Sequence, residues 1–357
     1  MSISNKWWFR FGIGVILILT IIWLMNEVNF VFTPLVIFVQ TLFVPFLIAG
    51  ILFYLFRPLT ELLEKWRLPR MIAILVIFLI VIVILTMIVR VIGPIVQTQF
   101  VRLLENVPDM ISAVEEGISY WQQNQEQIPQ FIKDFVDTIG SKLEGIFAAT
   151  GTVVGNALGS IFGFVFSLVI VPFILFYLLS DRERFTPNVV RFFPESKEGE
   201  IRHVLKDMDK ALASYIQGQL IVSTCVGILL LIGYLIIGLE YALLLALFAM
   251  AMNVIPFLGP FLAVIPALIV AFFQEPTMVL YVIIVMIVAQ QIESNLVSPQ
   301  VMGRALNIHP LTIILLILVG GNLAGVLGMI LIIPSYAVVK VIVQHSKQLL
   351  SIKRQES

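Results

Sequence analysis

The chain has 357 residues, 60% of them hydrophobic and 12% charged, with a mean hydropathy of +1.04. Basic and acidic residues balance at 22 each, a formal net charge of +0, so nothing in the charge points to nucleic acid as a partner. Soluble domains carry about 25% charged residues, so the composition excludes an ordinary soluble protein and indicates an all-α, polytopic membrane protein whose main partner is the lipid bilayer.

The lone Cys225 lies in an apolar run, and His203, His309 and His345 are far apart in sequence. No disulfide framework or cysteine metal cluster is expected, and neither a metal nor an organic cofactor.

Lys6 and Arg10 flank the start of the first apolar run, and no A-x-A-like site follows it. Residues 7–25 therefore read as a retained first span, with Trp7 and Trp8 at the interface, rather than as a cleaved signal. A second span covers 31–56, where Pro34 and Pro45 are expected to bend the helix. The loop RPLTELLEKWRLPR brings Arg57, Lys65, Arg67 and Arg70 together, which makes it cytoplasmic by the positive-inside rule. A third span at 71–92 completes a membrane scaffold over residues 1–93.

Gly93-Pro94 opens a region of different composition, 94–150, with Glu105, Asp109, Glu115, Glu116, Glu126, Asp134, Asp137 and Glu144 against Arg102, Lys133 and Lys142. The apolar residues Val96, Phe100, Leu103, Val107, Met110, Val114 and Ile118 recur at helical spacing. The reading is extracytoplasmic amphipathic helices lying on the bilayer or on a neighbouring subunit. A fourth span, 151–180, begins with Gly151, Gly155, Gly159 and Gly163 at four-residue steps, a stripe that permits close helix packing. The segment 181–217 is the densest in base, with Arg182, Arg184, Arg191, Lys197, Arg202, Lys206 and Lys210, and reads as cytoplasmic. Its amphipathic helix places Ile201, Val204, Leu205, Met208, Leu212 and Tyr215 on one face.

The remaining apolar sequence, 218–345, reads as a transport domain, followed by a cytoplasmic tail at 346–357 with Lys347, Lys353 and Arg354. A span at 218–239 leads outward. Residues 240–274 are then interrupted by Asn253-Val254-Ile255-Pro256-Phe257-Leu258-Gly259-Pro260, where two prolines and a glycine preclude one continuous helix. Each arm is about 22–26 Å at 1.5 Å per residue, against a hydrocarbon core of about 30 Å. The stretch reads as a hairpin whose tip lies inside the membrane, the alternative being two short spans joined by a tight turn. Residues 277–291 return inward as a span. A second broken stretch fills 311–340, and its first arm, 311–321, is about 16 Å of helix and too short to cross.

The two broken stretches resemble each other. Asn253, Gly259 and Ile265-Pro266 in the first correspond to Asn322, Gly328 and Ile333-Pro334 in the second. One span separates them, so the hairpins are expected to be oppositely oriented, which is the pattern of an inverted repeat with its binding site near the midplane.

Candidate substrate- or ion-binding residues follow from these breaks. Asn253 and Asn322 offer amide donors and acceptors, while Pro256, Gly259, Gly325 and Gly328 interrupt the helices and free backbone groups. Each Asn either coordinates cargo or caps its own helix break. Gln290, Glu293 and Asn295 end the intervening span. Glu293 is the acid best placed to enter the core, either as a proton or cation site or as an interfacial carboxylate paired with Arg304.

Several motifs in order carry a family resemblance: PFILFYLLSDRERF, YIQGQL, NVIPFLGPFLAVIPA, QQIESNLVSPQVMGRALNIHP and the final glycine-rich hairpin. Over nearly its whole length the chain resembles the autoinducer-2 exporter family of bacterial membrane proteins. The resemblance implies a secondary transporter of a small polar solute or signal molecule, with an elevator-like moving domain built from the hairpins. It also implies a homo-oligomer, for which a pentamer is the family expectation. Some members resemble sodium (lithium)/proton antiporters, which keeps Na+ or H+ coupling open. A multi-pass protein of the bacterial inner membrane, with both termini cytoplasmic, is expected. No G-x-x-x-x-G-K-[ST], H-E-x-x-H or G-x-S-x-G occurs, so an ATPase or an intramembrane enzyme has no support. A channel or scaffold would leave the repeated broken hairpins unexplained.

Overall fold

The computed structural model describes residues 7–27, 29–123, 169–301 and 308–355. The described residues form helices with no strand among them: α1 (Trp7–Glu27), α2 (Asn29–Lys65), α3 (Arg70–Gln123), α4 (Val169–Ser180), α5 (Arg182–Val190), α6 (Glu198–Ile236), α7 (Ala242–Met252), α8 (Leu258–Gln274), α9 (Pro276–Ile292), a π-helical turn (Glu293–Val297), α10 (Ser298–Val301) and α11 (Pro310–Gln355). Five of these stretches are long and apolar enough to cross a membrane: Phe32–Lys65, Arg70–Asn106, Glu198–Ile236, Pro276–Val301 and Pro310–His345. The chain is a multi-pass α-helical membrane protein. The glycine series from Gly151 to Gly163, the acidic residues from Glu126 to Glu144, and Arg304 lie outside the described residues.

The chain forms two compact units. The first comprises Met1–Phe53 and Gly159–Leu178, with α1, most of α2 and most of α4. Its helices bury Ala49, Val171 and Leu175 but expose Leu35, Phe38, Val169 and Phe173, a surface suited to hydrocarbon rather than water.

The second unit comprises Tyr54–Leu158 and Leu179–Ser357. Its core is laid along α6, whose four-residue row Val222, Val226, Leu230 and Tyr234 is buried against Leu245, Ala246 and Ala249 of α7 and Val282, Met286 and Ala289 of α9. α8 completes the cluster with Ala263, Ala267, Val270 and Ala271, small side chains that let its axis approach closely.

α6 is one helix of 39 residues, and it absorbs both the amphipathic segment expected to be cytoplasmic and the span expected to begin at residue 218. α3 likewise does not stop at Gly93-Pro94; it runs 54 residues with Pro94 and Pro108 inside. The proline removes a backbone donor, yet the continuation is tied down from outside. Gln99 Oε1 accepts the Leu244 N–H at 3.0 Å, one of the unpaired donors in the first turn of α7, and Asn106 Nδ2 donates to Tyr241 Oη at 2.8 Å.

An ion-pair chain stitches the ends of α2, α3, α5 and α6. Asp209 pairs with Arg57 at 2.6 Å, Arg57 with Glu61 at 3.0 Å, Glu61 with Arg182 at 3.1 Å, and Arg182 with Glu64 at 2.7 Å. Glu64 continues to Arg70 at 3.1 Å, and Arg70 to Glu183 at 3.0 Å and the Ser180 carbonyl at 3.1 Å. These are the basic residues that mark both loops as cytoplasmic in the sequence, here alternating with acids. Asp181 instead pairs with exposed Arg184 at 3.4 Å.

α7 and α8 form the first hairpin. α7 has 11 residues, about 16 Å of helix. At the open end the Gln274 amide binds both sides of the preceding turn: Nε2 donates to the Gly238 carbonyl at 2.8 Å and Oε1 accepts the Glu240 N–H at 2.8 Å. At the tip, Phe257 adopts φ 61°, ψ −45°, a sparsely populated region for a bulky residue.

The second hairpin lies within α11, which leaves helical geometry at Ala324 and Gly325, the latter with φ 58° and ψ −139°. A Cβ on Gly328 would collide with the Gly320 carbonyl oxygen. These two residues are eight apart, about 12 Å along a straight helix, so the chain doubles back and glycine is needed where the arms touch.

Candidate site where the hairpins meet

The tip of the first hairpin gathers three of the sequence candidates. Asn253 is buried and ends α7, its N–H donating to the Ala249 carbonyl at 2.9 Å. Pro256 is half-buried, and its carbonyl accepts the Leu258 N–H at 2.6 Å. Gly259 is buried directly beneath the turn: a Cβ there would run into the Met252 carbonyl oxygen.

The candidates of the second hairpin are placed differently. Asn322 is exposed and donates its amide to the Leu318 carbonyl at 2.9 Å, so its side chain closes on its own helix. Gly325 is exposed at the bend, and Gly328 is half-buried against Gly320.

At the end of α9, Gln290 and Glu293 are half-buried while Asn295 is exposed. Asn295 turns back to the Gln291 carbonyl at 2.9 Å and side chain at 2.8 Å. Glu293 accepts a short hydrogen bond from the Ser298 hydroxyl across the π-helical turn, which packs on α6. Met278, Val282, Met286 and Ala289 form the buried stripe of α9, and Glu293 follows Ala289 by four residues on that same stripe. The Gln290 Nε2 is buried with no hydrogen-bond partner.

Residues of α6 that the sequence reading did not single out as site residues join these parts. Gln219 is buried and donates from Nε2 to the Asn253 carbonyl at 2.7 Å. That carbonyl belongs to the group of helix-end acceptors that have no partner within their own helix. One turn earlier, Tyr215 is 5% exposed and shares a packed cluster with Ile255 at the first tip and Ile317 and Ile333 on the two arms of the second hairpin. One turn later, Ser223 is 2% exposed. Neither the Tyr215 hydroxyl nor the Ser223 hydroxyl has a hydrogen-bond partner. A buried hydroxyl left unpaired costs about 1–3 kcal/mol, so two on one helix row are an expense that packing alone does not explain.

The first tip thus meets the second hairpin through Ile317 and Ile333, about two helical turns either side of its bend. The signal that could have identified these residues is the run of polar side chains at four-residue steps, Tyr215, Gln219 and Ser223. Starting a new span at residue 218 cut that row in two.

The sequence profile of the AI-2E family transporter matches residues 13–348. The candidate transport protein YueF of Bacillus subtilis (strain 168) is 40% identical over 353 residues, covering 95% of this chain and 94% of that protein. A second from the same organism, YrrI, is 32% identical over 332 residues, covering 92% and 94%. A more distant relative, named as a sodium-lithium/proton antiporter of Halobacillus andaensis, is 22% identical over 321 residues, covering 87% and 91%.

Proposed function

Because the chain belongs to the AI-2E family of transporters, we propose that it is a secondary transporter that moves a small polar solute or signal molecule across the bacterial inner membrane by alternating access. One observation carries this reading: two bent helical hairpins, one with an 11-residue arm too short to span a bilayer, pack around a buried α6 face bearing unpaired polar groups. Irregular backbone at membrane depth is sustained only where protein or a water-filled cavity surrounds it. In this reading both hairpins are re-entrant from opposite sides, the hairpin domain moves as the carrier, the termini are cytoplasmic, and the chain works as a homo-oligomer. Family membership supports transport rather than catalysis.

A second reading, sodium (lithium)/proton antiport, is favoured by Glu293. It is the acid that continues the buried stripe of α9, and the antiporter relative is similar over most of the chain. A carboxylate on a core-facing stripe is suited to exchange a proton for a small cation.

The test is purified protein in liposomes with imposed sodium and proton gradients, assayed for gradient-driven pH change and for efflux of trapped polar solutes. Coupled, saturable flux supports the proposal. Flux that ignores both gradients and does not saturate supports a channel instead, and no flux of any kind overturns the transport reading.

A further inference from the structure

The turn between α2 and α3 holds an unexpected residue for its geometry. Three hydrogen bonds close the end of α2: the Trp66, Arg67 and Leu68 N–H groups donate to the Leu63, Glu64 and Leu63 carbonyls at 3.0, 2.9 and 3.4 Å. This is a Schellman closure, in which the residue one past the cap stands in the left-handed region and is usually glycine. Here it is Arg67, with φ 65°. Glycine adopts that conformation freely and an arginine does not. Closing the helix therefore gives no reason for an arginine.

Its charge does not hold the fold either. Arg57, Arg70 and Arg182 are all engaged by Asp209, Glu61, Glu64 and Glu183. Lys65 and Arg67 are exposed and enter no ion pair. The ion-pair chain has more acids than bases, and these two residues reverse that balance. Asp181 is matched by Arg184, and Lys210, exposed next to Asp209 on α6, adds to the positive side. Lys65 and Arg67 are two residues apart, so their Cα atoms lie within about 7 Å. One phosphate can meet both side chains.

The surroundings are those of a bilayer surface. The turn joins two helices long and apolar enough to cross a membrane, Phe32–Lys65 and Arg70–Asn106. Leu62 just before it, and Met71, Ile72 and Leu75 just after it, are exposed, so hydrocarbon reaches close to the turn. Trp66 is 69% exposed, and an amphipathic ring at the end of a span belongs at headgroup level. A guanidinium offers phosphate a planar fork of donors, and an ammonium adds a point charge.

We propose that Lys65, Trp66 and Arg67 form a headgroup site for an anionic phospholipid. The phosphate lies between Lys65 and Arg67, and the acyl chains run along the exposed side of Met71 and Leu75. The lipid gives the Arg67 guanidinium the partner that the chain does not. Occupancy ties the turn, and through Glu64 and Arg70 the ion-pair chain, to the composition of the leaflet.

The experiment follows the Tm of the full chain in neutral detergent as phosphatidylglycerol or phosphatidylcholine is added. Phosphatidylglycerol is expected to raise Tm saturably and phosphatidylcholine is not. Arg67→Gly keeps the closure, so it should be at least as stable as the parent without lipid. It should need about tenfold more phosphatidylglycerol for the same rise, the value of one charge-assisted hydrogen bond. Lys65→Gln should weaken the response in the same direction. Arg191→Gln removes another exposed base that has no ion pair, and should respond as the parent does. Equal rises with the two lipids, or an unchanged response in Arg67→Gly or Lys65→Gln, overturns the site. So does an Arg67→Gly variant less stable than the parent before lipid is added, which would give Arg67 a structural role. Arg191→Gln as impaired as Arg67→Gly also overturns it, because the attraction would then be diffuse.

Discussion

Gln219 of α6 donates its side-chain amide to the main-chain carbonyl of Asn253, 34 residues away, at 2.7 Å and in a buried setting. A transmembrane-length helix thereby supplies the acceptor-satisfying cap for a short one that ends within the protein. The bond fixes the first hairpin tip to α6 through backbone, so it does not depend on what side chain residue 253 carries.

Replacing Gln219 with Leu should strand the Asn253 carbonyl, whereas Asn253→Ala should leave the bond in place. The expected loss for Gln219→Leu is about 1–3 kcal/mol, read as a lower Tm in detergent. A Tm equal to that of the parent would mean that the tip finds another partner.

Gly328→Ala should damage the second hairpin, because its Cβ would meet the Gly320 carbonyl oxygen, and backbone cannot yield as a flexible side chain can. Gly50→Ala is the matched control, since nothing lies within 4 Å of the added methyl. Removing a mid-helix glycine stabilises by about 0.5–1 kcal/mol. The two variants should therefore move monodispersity and Tm in opposite directions.

Arg182 bridges Glu61 and Glu64, and its side chain is only 14% exposed. Arg182→Gln leaves two carboxylates short of a partner and should cost about 1.5–3 kcal/mol. Arg184→Gln breaks a pair that is 79% and 48% exposed and should stay within about 0.5 kcal/mol. Equal shifts in Tm for the two would show that the ion-pair chain acts as ordinary surface charge.

Glu293→Gln keeps the shape and an acceptor oxygen for the Ser298 hydroxyl at the π-helical turn while removing the charge. If Glu293 carries the coupling proton, the variant should stay folded and bind solute but lose pH-driven exchange in liposomes. Unchanged exchange would take Glu293 out of the mechanism.

Much of the helical layout was legible because the apolar runs and their breakers are local signals. Asn253 to Pro260 marked the first bend, and Asn322 with the glycines after it bracketed the second at Ala324 and Gly325. Contacts between distant segments were not legible. Pro94 looked like an end because the sequence cannot show Gln99 and Asn106 anchoring the continuation to α7 and Tyr241. The bases at 57, 70 and 182 are topology markers in the sequence, and their acidic partners become visible only in three dimensions. The paired asparagines looked equivalent by spacing, yet Asn253 is buried and Asn322 is folded back on Leu318. The α6 row is hidden in the sequence because the composition changes at residue 218 within what is one helix.

The Gln274 amide, clasping Gly238 and Glu240 together, has a mechanical meaning. A hairpin buckled at its base cannot splay there. Any shape change within it is driven to the opposite end, where Phe257 already holds an unfavourable backbone conformation. Under the alternating access proposed above, a chemical crosslink across the base should therefore be silent where the same crosslink across the tip would stall transport.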